Sequence, residues 1–114
     1  MPTTDPFPSF RTRRLFAATD RQIRILAQSV DRYAGRRGDQ PVPPAILADA
    51  AALLRNAKRL LSREPFWPAR LEPIASHNWA ELASQLTFAI IALVEFREFY
   101  IDVSWDEVEP DAPL

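Results

Sequence analysis

The chain holds a single histidine, His77, and no cysteine. That composition excludes a multi-histidine or thiolate metal site and a cysteine nucleophile. Three carboxylates, Glu95, Glu98 and Asp102, stand at i, i+3 and i+7, which puts them on one flank of a helix. Such a trio can ligate a hard cation or serve as acid and base. The inward Glu-x-x-His pair of carboxylate-bridged metal bundles does not accompany it, so the expectation is a solvated acidic face. Neither a Gly-rich phosphate loop nor a nucleophile elbow occurs. The reading is of a chain with no catalytic residue, no cofactor and no metal.

The other chemistry lies in arginine. Arg14, Arg21, Arg24 and Arg32 fall along one side of a first helix, and Arg55, Lys58 and Arg59 on the solvent side of a second. Together they form a candidate basic partner-binding surface, able to neutralise phosphates or acidic side chains. Thirteen of the 14 basic residues are Arg and Ala occurs 17 times, a bias that fits GC-rich bacterial coding and tempers any argument from arginine abundance. Residues 1–70 carry 13 basic against six acidic residues, whereas residues 71–114 carry Arg97 alone against nine acids. The two halves therefore attract each other on folding or dimerising, or set a basic nucleic-acid surface beside an acidic tail.

Arg70 and His77 bracket the stretch RLEPIASH. Their separation resembles that of the arginine–histidine pair in the HEPN ribonucleases, a resemblance that covers these eight residues only. It implies an all-helical dimer that cleaves RNA, with His77 as general acid or base and Arg70 holding a phosphate. Pro73 breaks the helix on which that pair is normally presented, and Leu71 stands where the family carries a polar residue.

The elements that must position these residues are all helices. Proline is frequent, at 11 residues, and glycine rare, at two, so proline supplies most of the punctuation. Residues 1–8 read as a loose arm. Helix one spans 9–35, beginning either near Ser9 or at the Thr19-to-Gln22 capping box and ending at Gly35. A loop over 36–43 leads to helix two, 44–63, which Pro44 opens. Residues 64–77 form a corner in which Phe66 and Trp67 plug the bundle end, with a short fourth helix near Pro73. Helix three spans 78–105, roughly 40 Å long, and an acidic tail over 106–114 follows.

Helix three is the most informative element. Leu82, Leu86, Ala89, Leu93, Phe96, Tyr100 and Val103 recur at spacings of 4 and 3, the seam of a helix packed along another. Phe88, Ile91 and Phe99, with Ile90, Val94 and Ile101, point elsewhere. A helix apolar on two sides is central to a bundle or shared with a partner, and shorter neighbours would leave part of helix three overhanging unless a partner covers it. The expectation is an all-α bundle completed by self-association through Leu82, Leu86, Phe88, Ile91, Leu93, Phe96, Phe99 and Tyr100. The corresponding function is a bacterial protein–protein interaction module, an adaptor, regulator or inhibitor, acting as a homodimer on a protein partner. Nucleic-acid binding through the arginine faces is the alternative, and the ribonuclease a third. No segment resembles a signal peptide and the uninterrupted apolar run Phe88–Val94 is short, so the cytoplasm is expected and a membrane is not.

Overall fold

The computed structural model describes residues 8–61, 78–103 and Trp105. They form three helices, α1 (Phe10–Arg37), α2 (Pro44–Leu61) and α3 (Trp79–Phe99), all packed against one another. The corner at 64–77 with Phe66 and Trp67, the fourth helix, Arg70, His77 and the tail lie outside the described residues.

Helix α1 starts at the earlier of the two sequence signals. Ser9 is its N-cap: Oγ accepts the Thr12 N–H at 3.1 Å, and the Ser9 carbonyl accepts the Arg13 N–H at 2.8 Å. Thr19 is buried well inside the helix and caps nothing. Pro8, assigned to the loose arm, is also buried, and its carbonyl accepts a hydrogen bond from Arg13 Nε at 3.2 Å. This bond draws Arg13 inward, leaving it 5% exposed.

The C-terminus of α1 differs from expectation in an instructive way. Gly35 does not end the helix, which runs on to Arg37. A mid-helix glycine costs only about 1 kcal/mol relative to alanine, and Arg36 and Arg37 in the last turn favour the negative end of the helix dipole. The glycine the turn requires is Gly38. A Cβ there would lie 2.9 Å from the Ala34 carbonyl oxygen and 3.5 Å from Ala80 Cβ, while nothing lies within 4 Å of one added at Gly35.

Gly38 is where the loop from α1 to α2 meets the start of α3. The Ala80 N–H donates to the Gly38 carbonyl at 3.0 Å and the Trp79 N–H to the Gln40 carbonyl at 3.1 Å. Asn78 completes the set as N-cap: its Oδ1 accepts the Glu81 N–H at 2.8 Å, and its own N–H donates to Glu81 Oε1 at 3.2 Å. The first-turn donors of α3 are thus spent within the fold, and the loop is tied to the helix that follows much later in the chain.

At its other end α3 is shorter than the spacing suggested. It stops at Phe99, with Tyr100 as C-cap, and the chain turns through Val103, whose N–H donates to the Tyr100 carbonyl at 3.2 Å. The turn folds Trp105 back into the core, where its Nε1–H reaches the same Tyr100 carbonyl at 2.9 Å. The indole lies 4.9 Å from the Phe16 ring and 6.4 Å from Phe96. Burying an indole with its N–H satisfied outweighs one more helical turn made of Ile101, Asp102 and Val103, which are weak helix formers. At 28 residues, about 42 Å, α1 is the longest helix and α3, at 21 residues, spans about 32 Å. The expected overhang of α3 is therefore absent.

Two aromatic stacks fix the register of α1 on α3. Phe16 stacks on Phe96 with centroids 5.4 Å apart, and Tyr33 on Trp79 at 4.7 Å. The partners are equally spaced along the two helices, so α1 and α3 run antiparallel with Arg14 level with Glu98 and Arg21 level with Ile91. Replacing Gly35 by alanine should raise stability by about 0.5–1 kcal/mol. Gly38→Ala should lower it by about 1–2 kcal/mol through the forced shift of the Ala34 carbonyl. Urea unfolding of the two variants beside the parent checks both signs.

Candidate interaction surface

The seam of α3 is spent inside the chain. Leu82, Leu86, Ala89, Leu93 and Phe96 are each 0% exposed, packed with Phe16, Ile23 and Val30 of α1 and Ala50, Leu54 and Ala57 of α2. The assignment of Leu82, Leu86, Leu93 and Phe96 to self-association is thus corrected. Both partner helices offer alanines where α3 approaches, and this close contact leaves no room for a second copy. Tyr100 is half-buried, its ring 5.0 Å from Phe96, and Phe88 is half-buried against the same core.

The other apolar set stays in solvent. Ile91 is 48% exposed, Val94 37%, Phe99 66% and Ile101 70%. At about 100° per residue Ile91 stands opposite the buried seam. Around it on the outer face lie Ser84, Thr87, Glu95 and Glu98, all exposed. Thr87 is satisfied locally, its hydroxyl donating to the Ala83 carbonyl at 2.9 Å. No basic residue occupies this face. Arg97 lies on the flank, its guanidinium carbon 5.5 Å above the Trp105 ring.

The outer face of α1 has the opposite sign. Arg14, Arg21, Ile25 and Arg32 align along it and all are exposed, with Ile25 at 55%. No Asp or Glu stands on that face: Asp20 and Asp31 occupy the flank. Arg24, on the same flank, is held by Asp20, its Nε donating to the two carboxylate oxygens at 3.0 and 3.1 Å. An exposed i, i+4 pair of this kind contributes only about 0.3–0.5 kcal/mol. Its effect is to neutralise Asp20 beside the arginine face. Arg55, Lys58 and Arg59 are exposed on α2, as their spacing required.

Two grooves run between the helices. The one between α1 and the C-terminal end of α3 measures about 640 Å³, with Val94, Arg97, Glu98, Ile101 and Asp102 lining it from α3 and the turn after it and Arg24 from α1. The second, between α1 and α2, measures about 490 Å³ and is lined by Ile25, Leu26 and Leu53 with polar Gln22, Asp49 and Asn56 at its edge. Among the described residues no group of three or more carboxylate or imidazole side chains gathers to hold a metal ion. The flank of Glu95, Glu98 and Asp102 is exposed to solvent.

In length and composition α3 would suit a membrane span: its most apolar window has a mean hydropathy of 1.4, and 39% of that window is buried inside the bundle. A core helix of a bundle meets the same description, and here the apolar excess comes from the buried seam together with the outer strip. Comparison of the chain with models of known protein families, with curated proteins and with solved structures finds no match.

Two features were underweighted in the sequence. Val94 and Ile101 are exposed in the groove between α1 and α3 although the self-association set omitted them. The acid-free face of α1 also went unremarked, although a wheel at 100° per residue reveals it once the helix is known to begin at Phe10. The contrast between the two faces of α3 is directly testable. Leu93→Ala should cost about 3 kcal/mol, through the lost burial and the cavity left behind. Ile91→Ala should change the stability of the isolated chain by no more than about 0.5 kcal/mol. Thermal or urea melts on dilute protein separate the two.

Proposed function

We propose that this chain is a small non-catalytic protein–protein interaction module, a bacterial cytoplasmic adaptor, regulator or inhibitor, that acts as a helical homodimer. The observation that carries the reading is the exposure of Ile91, Val94 and Phe99 on α3, with Ile101 in the turn after it, on a helix whose opposite side is already buried. Single exposed apolar residues are ordinary on protein surfaces, and four gathered in the last turns of α3 and the turn that follows favour a surface that another surface covers. Specificity on such a surface comes from the charges around it, and Glu95 and Glu98 supply them here.

A second reading draws on a different observation. The acid-free face of Arg14, Arg21 and Arg32 is the geometry with which a helix follows a phosphate backbone. It makes the chain a nucleic-acid-binding regulator, with affinity falling steeply as salt rises.

The dimer reading is tested by replacing Ile91 and Val94 together with glutamate. Phe88 is unsuitable for this test because it packs on the core, so its loss would also weaken the fold. Light scattering coupled to size exclusion should show a dimer for the parent and a folded monomer for Ile91→Glu/Val94→Glu, with helicity by circular dichroism unchanged. A parent that is monomeric at micromolar concentration, or a double variant that remains dimeric, sinks the reading. The second reading gains if the parent binds generic DNA or RNA at low salt and Arg14→Glu/Arg21→Glu does not.

A further inference from the structure

The C-terminal turns of α1 border a cavity of about 450 Å³ whose described lining is Ser29, Arg32, Tyr33, Arg36 and Arg37. At about 100° per residue these five share an arc of about 140°, while Asp31 lies about 160° around the helix from Ser29. Asp39 follows in the loop, and no carboxylate is among the described lining. Elsewhere on α1, Arg13 is engaged by the Pro8 carbonyl and Arg24 by Asp20. Arg32, Arg36 and Arg37 make no ion pair and no side-chain hydrogen bond among the described residues. The negative end of the α1 dipole amounts to about half a charge, and the Arg37 carbonyl already accepts the Gln40 N–H at 3.0 Å. Three guanidiniums exceed that half charge several-fold, so the cavity calls for an anion.

Its aromatic wall narrows the class of anion. Tyr33 rests one ring face on Trp79, with centroids 4.7 Å apart and planes 22° from parallel. Trp79 is itself buried in the core cluster, whereas Tyr33 remains 47% exposed. A ring supported from behind and open in front is a platform on which a planar base can stack.

We infer that this cavity binds a nucleotide, its phosphates held by Arg32, Arg36 and Arg37 and its base laid on Tyr33. Guanidinium forks match phosphate oxygens bidentately, and the exposed Ser29 hydroxyl one turn away adds a further donor. Phosphate alone would leave the aromatic wall unused, and the volume falls within the roughly 300–1,000 Å³ of pockets that enclose small organic ligands. A carboxylate brings a single charge, so an acidic peptide matches three clustered arginines less well than adjacent phosphates do. The same chemistry recognises a free nucleotide and one unit of a single strand. The inference goes beyond both readings above, since Arg36 and Arg37 belong to neither the dimer surface nor the face of Arg14 and Arg21.

The test is calorimetric titration of the full chain with ADP and with inorganic pyrophosphate at physiological ionic strength. ADP should bind, and Arg36→Gln/Arg37→Gln should weaken it about tenfold or more. Arg14→Gln/Arg21→Gln should leave it within about twofold, because Arg21 lies about 16 Å along the helix from Arg32, beyond the screening length of about 8 Å. Tyr33→Leu should weaken ADP about fivefold or more and leave pyrophosphate unchanged. Arg36 and Arg37 are exposed, so the circular dichroism and melting temperature of their variant should stay close to the parent. Should Tyr33→Leu loosen the fold through Trp79, the parent alone carries the comparison, with ADP binding about fivefold or more tightly than pyrophosphate. A short single-stranded RNA that binds more tightly than ADP, and loses affinity in Arg36→Gln/Arg37→Gln, identifies the strand as the source. An RNA that binds no better identifies the free nucleotide, and both outcomes uphold the site. Absence of binding by either, binding indifferent to Arg36→Gln/Arg37→Gln, pyrophosphate as tight as ADP, or a glutamate-rich peptide that displaces ADP at equal concentration overturns it. RNA binding lost in Arg14→Gln/Arg21→Gln but not in Arg36→Gln/Arg37→Gln also overturns it, and leaves the arginine-face reading standing.

Discussion

Everything in this fold depends on the burial of one side of α3. Leu82, Leu86, Leu93 and Phe96 are wholly removed from water between α1 and α2, and at about 25 cal/mol per Å² of apolar area this is the largest stabilising contribution such a small chain can assemble. The seam needs no special chemistry, only large apolar residues at spacings of 4 and 3, with Ala50, Ala57 and Ala89 thinning the contact so that backbones approach. Once it is seated, the aromatic stacks at its two ends fix rotation and register, and the remaining surface of each helix has no freedom in where it points.

The two ends of α3 are closed by different means. At the start, backbone carbonyls of Gly38 and Gln40 accept the Ala80 and Trp79 N–H groups, which joins a loop early in the chain to a helix late in it. At the finish, Trp105 returns to the core and its indole donates to the Tyr100 carbonyl, which also accepts the Val103 N–H. The first-turn N–H groups of α3 are thus used within the fold.

The sequence disclosed the helices and the two-sided character of α3, because hydrophobic periodicity records which side of a helix is buried. It did not disclose how much of that burial is internal. Leu86 and Ile91 look alike in composition, and only the positions of α1 and α2 distinguish a core residue from an exposed one. The end of α1 was misplaced by two residues because a glycine that costs about 1 kcal/mol inside a helix looks the same as one that ends it. The distinguishing facts are the close approach of the Ala34 carbonyl to Gly38, set by the exact path of the helix end, and the tertiary hydrogen bond from the Ala80 N–H to the Gly38 carbonyl. The end of α3 was misplaced because Val103 and Trp105 suit the apolar spacing of a longer helix, while the contact with Phe16 that turns the chain back comes from a residue almost ninety positions earlier.

Charge follows a different logic from apolar burial in this chain. A helix that exposes Ile91, Val94 and Phe99 invites nonspecific association unless something limits which surfaces can cover it. The charges around these residues are mixed: Glu95 and Glu98 stand on the outer face of α3, while Arg97 and Arg24 line the groove that also holds Val94 and Ile101. The sequence places 13 basic residues in the first 70 positions and nine acids in the last 44. Helix pairs inside the bundle meet through apolar seams, and among the described residues Arg13 is the one buried charged side chain, the other described charges being exposed or partly exposed.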